Sequence, residues 1–238
     1  MTIPAPAGAG LDRGQLERLA ARALDHVHDG ALVGLGSGRA ASGFVRALGA
    51  RVARGLRVRG VATSEATAQL AREVGVTLVG LEDGILDITV DGADEVDPDL
   101  DMIKGYGGAL VRERIVAAAS RLRITLVGSE KLVPVLGARG RLPVEVIPFA
   151  WPLVARELAA LGCRPTLRMA GGTPFVTDSG NRIADCTVRP IEAKAAFERD
   201  LRAIAGVVDT GLFLGVADVV LVAEGEGVRE IRRGATRA

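Results

Sequence analysis

Short apolar runs that alternate with amphipathic stretches constrain the fold of this chain more than any other feature. Buried strands are predicted for the apolar runs at residues 31–35, 57–62, 86–90 and 124–128. Helices are predicted by the spacing of apolar side chains at about residues 11–28, 40–53, 64–74 and 110–119. A repeated strand–loop–helix order is typical of parallel α/β proteins. We therefore predict an α/β fold with an open, mostly parallel, Rossmann-like sheet and helices on both of its faces.

The pattern changes after about residue 137. Shorter strands are predicted at residues 144–147, 165–169 and 182–188, with helices at 151–161 and 191–204. These elements indicate a smaller α+β unit, and the apolar run at 219–222 could rejoin the first sheet. We therefore expect an α/β catalytic domain of residues 1–139 and 212–238 and a small α+β domain of residues 140–211.

The charge balance excludes some partners. Lys and Arg number 30 against 29 Asp and Glu, so a net charge of +1 gives no electrostatic footprint for nucleic acid or an anionic membrane. No signal peptide and no apolar stretch of membrane-spanning length is apparent, and we expect a cytoplasmic protein without nucleic-acid or membrane partners. A solvated basic end is predicted for Arg229, Arg232, Arg233 and Arg237.

Cysteine and histidine are scarce, which limits the residues that could bind a metal or act as a general base. Cys163 and Cys186 lack a metal-binding spacing, and the sequence leaves open whether they are close in space. His26 and His28 lie near the end of a predicted helix and are interpreted as surface or boundary residues. Any general base is therefore expected to be a carboxylate, a lysine or a cysteine.

Polar segments follow three of the predicted strands, at residues 36–39, 63–67 and 91–94. Ligands of open parallel sheets bind at the carboxyl ends of the strands, so we expect these segments to form one site. The middle segment holds Thr63, Ser64 and Thr67 at a helix start, where Ser64 is the expected N-cap and a ligand role is a further option.

The first segment lies in a glycine loop, Gly34-Leu35-Gly36-Ser37-Gly38, that opens a predicted helix. Glycines let the backbone approach an anion closely, and a helix N-terminus favours negative charge. Ser37 adds a hydroxyl, and Arg39 could add a bidentate phosphate contact. A tight turn without a ligand is an equally good interpretation of the loop alone.

The third segment begins an unusual gathering of charged residues. Its sequence is Asp91-Gly92-Ala93-Asp94-Glu95-Val96-Asp97, followed by Lys104-Gly105-Tyr106-Gly107-Gly108 and then Arg112-Glu113. A solvated acidic loop and a divalent-metal site are the alternatives to an acid–base site. The spacing does not fit the calcium-loop pattern, and the lysine would compete with a cation.

These motifs together resemble ribose-5-phosphate isomerase of type A. Supporting matches are the glycine loop, Thr63-Ser64-x-x-Thr67, Gly128-Ser129-Glu130-Lys131, the run from Leu142 to Pro148, Gly180-Asn181-x-Ile183-x-Asp185 and the run from Gly206 to Phe213. The resemblance covers nearly the whole chain. It implies interconversion of D-ribose 5-phosphate and D-ribulose 5-phosphate through a cis-enediol(ate), in the non-oxidative pentose phosphate pathway, with neither metal nor coenzyme.

The resemblance also implies roles for individual residues. Glu113 is expected as the proton-shuttling base, and Asp91, Asp94 and Lys104 correspond to other active-site residues of the family. On chemical grounds, Lys104 or a protonated neighbouring Asp is expected to stabilise the enediolate oxygen, and Asp91, with Asp94 second, is the candidate for opening the sugar ring. The substrate-binding residues expected are Ser37, Gly38, Arg39, Ala40, Thr63, Ser64, Thr67, Gly92, Ala93, Gly105, Tyr106, Gly107 and Lys131. A homodimer or higher homo-oligomer is expected, with the small domain as the oligomerisation element.

Two departures from the family pattern concern the substrate. The family's glycine loop usually continues Gly-Ser-Thr, where this chain has Gly38-Arg39-Ala40, and no lysine precedes Lys104. Our hypothesis is that Arg39 replaces the lost charge and hydroxyls; the alternative is an arginine that points to solvent. Tyr106 stands where the family often has glycine, either along the edge of the site or facing outward.

The changed loop keeps two rival functions open. One is an isomerase for another sugar phosphate. The other is a regulatory domain that senses a sugar phosphate without turnover, although no helix-turn-helix segment precedes Leu11 to serve such a role.

Overall fold

The computed structural model describes residues 10–234. The outermost ends of the predicted catalytic domain, residues 1–9 and 235–238, and with them Arg237, lie outside the described residues. The helices are α1 (Arg13–Leu24), α2 (Arg39–Val52), α3 (Glu65–Glu73), α4 (Leu110–Ala118), α5 (Trp151–Ala160) and α6 (Lys194–Arg202). The strands are β1 (Leu32–Leu35), β2 (Arg59–Ala62), β3 (Thr77–Leu78), β4 (Leu86–Gly92), β5 (Glu95–Val96), β6 (Met102–Ile103), β7 (Ser120–Gly128), β8 (Arg141–Val146), β9 (Arg164–Leu167), β10 (Met169–Ala170), β11 (Thr173–Pro174), β12 (Arg182–Thr187), β13 (Val207–Thr210), β14 (Leu212–Phe213), β15 (Val219–Glu224) and β16 (Gly227–Arg232).

The main sheet has seven strands in the order β16-β15-β7-β4-β1-β2-β3. All neighbouring pairs are parallel except β15 and β16. The predicted parallel α/β sheet is thus confirmed, including the return of the apolar run at 219–222, which pairs with β7.

The edge strand β16 was not predicted. Arg229 and Arg232, expected in a solvated end, lie on this strand and pair with Glu224 and Glu230. Alternate side chains of the strand are half-buried. Because these side chains pack on the sheet, the segment forms an edge strand although it carries charged residues.

Helices cover both faces of the main sheet. On one face, Leu19 of α1, Phe44 of α2 and Leu70 of α3 pack with the strand residues Val33 and Ile88. On the other face, α4 contributes Val116 and Leu110 to the contacts with the sheet. Ser64 caps α3 as predicted, because its hydroxyl accepts the N–H of Thr67.

A second core lies under an antiparallel sheet with the strand order β13-β8-β12-β9, which we call the small sheet. Val144 and Val146 of β8 pack there with Val154 of α5 and Leu201 of α6. The three predicted strands and two helices of this segment are present, with bounds that differ by a few residues. Both cysteines are free and buried in this core.

The shortest strands escaped prediction because two residues show no periodicity. They are β3 of the main sheet, the hairpin β10-β11 and the sheet β14-β6-β5. Within residues 10–234, none of the helices combines the length and hydrophobicity needed to cross a bilayer.

Candidate active site

The carboxyl ends of β1, β4 and β7 border a cavity of about 240 Å³. Predicted site residues that line it are Ser37, Gly38, Arg39, Ala40, Gly92, Ala93, Asp94, Lys104, Gly105, Gly107, Glu113 and Lys131. Predicted residues outside its lining are Asp91, Thr63, Ser64, Thr67 and Tyr106. The first and third of the three polar segments expected to form one site therefore line the cavity, whereas the middle segment, residues 63–67, does not.

Lys104 is the buried centre of the charged group. Its Nζ lies 3.0 Å from Asp91 Oδ2 and 3.3 Å from Glu113 Oε2, and it also donates to the carbonyl of Gly92. The lysine follows β6, and its backbone N–H donates to Gly211 O at 2.9 Å. A cation between two carboxylates partly compensates the cost of burying all three charges.

Glu113 lies in the first turn of α4 and is only 6% exposed. Its Oε2 has no donor in hydrogen-bond geometry among the described residues, although Lys104 is near. Burial, and secondarily the charge of Asp91, raises the pKa of Glu113 to about 8, while Lys104 opposes this rise. A carboxyl group with a pKa near neutral can both accept and return a proton.

The lysine remains charged. Burial alone would lower the pKa of Lys104, but the carboxylates of Asp91 and Glu113 outweigh burial and raise it above its ordinary value. A fixed ammonium group in this position can stabilise negative charge that develops on a bound ligand.

Asp91 is held by the glycine loop as well as by the lysine. Its Oδ1 accepts the N–H groups of Ser37 at 3.0 Å and of Gly92 at 2.8 Å. A side chain at Gly36 would place its Cβ 2.3 Å from Asp91 Oδ1, so only glycine permits this approach. Asp91 therefore fixes Lys104 and the loop to each other.

Asp94 differs from Asp91 because it lines the cavity. Its Oδ2 accepts the N–H of Tyr106 at 2.9 Å. Burial raises the pKa of Asp94 above its ordinary value, although the Tyr106 N–H and the charge of Lys104 partly offset this. Of the two aspartates, Asp94 is therefore the one that lines the cavity.

The start of α2 forms another side of the cavity. Gly38 precedes the helix with φ of +91°, and no side chain among the described residues caps this end. Arg39 is exposed and lines the cavity with Lys131. Free N–H groups at a helix start, together with two cations, form a suitable place for an anion.

The hydroxyl groups bond mainly to one another. Ser37 Oγ lies 2.8 Å from Thr63 Oγ1, 2.7 Å from Ser64 Oγ and 3.2 Å from Thr67 Oγ1. Thr63 and Thr67 also donate to the carbonyls of Leu35 and Gly36. This network supports the glycine loop from behind, and only its Ser37 member reaches the cavity.

The side chain of Tyr106 takes neither of the two predicted positions. It is half-buried, the guanidinium of Arg141 lies 4.5 Å from its ring centroid, and its hydroxyl donates to Arg141 O at 3.2 Å. Tyr106 thus joins the lysine loop, residues 104–108, to the small sheet.

One group of carboxylates could share a cation. Asp97, Asp99 and Asp101 have oxygens within 4.8 Å of one another. Lys194 Nζ lies among them and forms an ion pair with each. The lysine supplies the positive charge that this group needs.

Some cavity residues were missed by the sequence reasoning. They are Gly10, Leu11, Leu126, Val127, Gly128 and Glu130. The segment from Gly128 to Glu130 follows the end of β7, so the strand-end rule could have found it. No sequence pattern marks Gly10 and Leu11 as site residues, because they reach the cavity only through tertiary packing.

Fold and site together define a class: an α/β protein with a buried carboxyl–lysine pair beside a cavity that has a cationic side. Such a site suits proton transfer within an anionic small molecule.

Comparisons with known proteins specify the class further. The family model described as ribose 5-phosphate isomerase A (phosphoriboisomerase A) matches residues 59–227. The ribose-5-phosphate isomerase A of Roseiflexus castenholzii is 49% identical over 218 residues, which cover 90% of this chain and 93% of that protein.

Comparison with solved structures gives the same result as comparison with sequences. A D-ribose-5-phosphate isomerase in complex with phospho-erythronic acid matches with a TM-score of 0.89 at 37% identity, over 92% of this chain and 98% of that one. The ribose 5-phosphate isomerase A of Methanocaldococcus jannaschii matches with a TM-score of 0.87 at 36% identity, over the same shares of the two chains. The chain belongs to the ribose 5-phosphate isomerase A family, as its motifs predicted.

Proposed function

We propose that this protein interconverts D-ribose 5-phosphate and D-ribulose 5-phosphate through a cis-enediol(ate), with Glu113 as the base. The observation that carries the proposal is the Glu113 carboxyl: it is buried, has an Oε2 without a hydrogen-bond donor among the described residues, and lies on the cavity beside Lys104. Membership of the isomerase family supports the same reaction.

The proton transfer can be written with residues of the cavity. Ionised Glu113 takes the proton from C2 of the open-chain aldose, and the C–H electrons form the C1=C2 bond while O1 gains negative charge. Lys104 stabilises that charge until the proton of O2 passes to O1. The double bond then moves back as C2=O2 forms, and Glu113 returns the first proton to C1, which leaves the enzyme unchanged.

Ring opening precedes this step and needs proton transfer at the ring oxygen and the anomeric hydroxyl. The sequence favoured Asp91 for this role, but Asp94 lines the cavity, and burial raises the pKa of its carboxyl group. We therefore assign ring opening to Asp94. In this assignment Asp91 holds Lys104 and the glycine loop in place.

The phosphate is assigned to the start of α2, with Arg39 and Lys131 as its cationic partners. Ser37 contributes from the loop, and the hydroxyls of Thr63, Ser64 and Thr67 orient it. A relative solved with phospho-erythronic acid shows that a phosphorylated four-carbon acid binds that protein. The same class of ligand suits the cationic side of this cavity.

Residues 140–211 are proposed as a small domain through which the chain forms a homodimer or a higher homo-oligomer. Ile147, Phe149 and Val208 support this, because they are exposed apolar side chains of that segment, and Phe149 is 95% exposed. The function within the non-oxidative pentose phosphate pathway and the cytoplasmic location are parts of the same proposal.

A substrate survey tests the proposed function. Initial rates are measured with ribose 5-phosphate and with other pentose and hexose phosphates, each at several concentrations. We expect the highest kcat/KM with ribose 5-phosphate. A higher value with another sugar phosphate would favour the rival isomerase, and binding of ribose 5-phosphate without turnover would favour the sensor.

A further inference from the structure

We propose that Arg168 is a positioning residue that holds the lysine loop, residues 104–108, in the shape that the reaction requires. Arg168 follows β9 of the small sheet and does not line the cavity. The inference rests on the proposed function, since it concerns the efficiency of the same reaction.

The guanidinium of Arg168 joins the lysine loop to the small sheet. Its Nη1 donates to the carbonyls of Gly105 at 3.1 Å and Tyr106 at 3.0 Å. Its Nε and Nη2 donate to the two carboxylate oxygens of Asp185 at 2.9 Å and 2.5 Å. The side chains of Arg168 and Asp185 are 12% and 13% exposed, so solvent competes little for these bonds.

Asp185 is itself fixed by a second arginine. Arg141 donates to both of its oxygens, at 3.0 Å and 2.9 Å, and also stacks on the ring of Tyr106. Burial alone would raise the pKa of Asp185, but the hydrogen bonds of Arg168 and Arg141 lower it below its ordinary value. The carboxylate therefore stays ionised and serves as a rigid anchor on β12.

The loop that Arg168 holds needs an external support. Gly105 and Gly108 have φ values of +102° and +86°, and glycines lose much conformational entropy when they are fixed. Phe175 packs on Gly108, with a ring carbon 2.7 Å from where a Cβ would lie, and its ring is 5.8 Å from the Arg168 guanidinium. Arg168 thus contacts the loop directly through two carbonyl groups and lies beside Phe175, which packs on the loop.

The lysine loop positions two groups that act in the proposed reaction. Lys104 directly precedes Gly105, whose carbonyl Arg168 binds. The N–H of Tyr106 fixes Asp94. When the guanidinium is removed, we expect the lysine and the aspartate to lose alignment, whereas the phosphate end at α2 keeps its contacts. The effect should therefore fall on kcat more than on KM.

The test uses Arg168→Ala and Arg168→Lys in the full chain. We expect Arg168→Ala to lower kcat about 10- to 100-fold with KM within about threefold, because misplaced supporting groups typically cost this much. Lysine has one nitrogen and cannot bridge the carboxylate and both carbonyls, so Arg168→Lys should also lose kcat, and it serves where the alanine variant does not fold. Methylguanidinium added to Arg168→Ala should restore part of kcat.

Arg123→Ala is the matched control, since Arg123 also forms a two-bonded pair with an aspartate, Asp218, but touches no part of the lysine loop. It should lower the melting temperature while leaving kcat unchanged. A kcat of Arg168→Ala or Arg168→Lys within twofold of wild type would overturn the inference. An equal loss of kcat in Arg123→Ala would also overturn the inference. The same holds if methylguanidinium restores none of the kcat of Arg168→Ala. An inactive wild type would instead overturn the proposed function.

Discussion

The pH dependence of turnover follows directly from the surroundings of Glu113. Its pKa rises from an ordinary 4.5 to about 8. At about 1.4 kcal/mol per pH unit, this rise corresponds to about 5 kcal/mol in favour of the neutral carboxyl group. The reaction needs the ionised form, so the sign is clear: kcat/KM should rise about tenfold per pH unit below pH 8 and level off above it.

Replacing the neighbouring cation shows whether this titration belongs to Glu113. Lys104 lowers the pKa of Glu113, so Lys104→Met should move the midpoint of the profile upward by about one pH unit or more, in addition to lowering the rate. Because kcat/KM reports the free enzyme, initial rates are measured well below KM from pH 5.5 to 9.5.

The substrate phosphate titrates near pH 6 and provides an internal reference, since its midpoint should be the same in both proteins. A profile without a midpoint between pH 7 and 9, or a downward shift in Lys104→Met, would refute the reasoning.

Three further predictions concern the phosphate, the glycine loop and stability. Arg39→Ala should raise KM for ribose 5-phosphate about 10- to 150-fold with little change in kcat, since a lost charged hydrogen bond costs about 1.5–3 kcal/mol; an unchanged KM would mean that Arg39 does not bind phosphate. Gly36→Ala should lower kcat at least about tenfold because its Cβ would displace Asp91, whereas Gly43→Ala, whose nearest neighbour would be 3.6 Å away, should keep full activity. Glu113→Gln should stabilise the fold at pH 8.5 by up to about 5 kcal/mol, less what the lost pairing with Lys104 costs, and not at pH 4, measured by urea unfolding, because the raised pKa makes wild type lose stability as pH rises from 4.5 to about 8. Equal stabilities at pH 8.5 would contradict the raised pKa.

The main sheet was predictable because its strands are continuous apolar runs separated by helices with clear spacing. The location of the site followed from the same pattern, since parallel strands bring their carboxyl ends to one edge. Three polar segments far apart in the sequence could therefore be placed at one edge of the sheet, although only residues 36–39 and 91–94 supply part of the cavity lining and residues 63–67 lie behind Ser37. The strand β16 was not predicted because Arg229, Glu230 and Arg232 obscure its weak alternation of half-buried residues.

Details within the site could not be predicted from the sequence. Nothing in the motif distinguishes Asp91 from Asp94, and only the structure shows that Asp91 binds loop N–H groups while Asp94 lines the cavity. Tyr106 was likewise ambiguous, because its partner Arg141 lies 35 residues further along the chain. Such pairings depend on how the small sheet packs on the lysine loop, and local patterns carry no information about that packing.

The central claim is that Glu113 moves the proton between C2 and C1. The most direct measurement compares wild type, Glu113→Gln and Glu130→Gln in deuterated water, by following turnover and deuterium incorporation into the sugar phosphate. Glu130 is the other glutamate that lines the cavity and serves as the matched control.

We predict that Glu113→Gln loses about 10²- to 10⁴-fold in kcat and in deuterium incorporation, while Glu130→Gln loses far less. A Glu113→Gln protein that turns over ribose 5-phosphate and incorporates deuterium within tenfold of wild type would contradict the account.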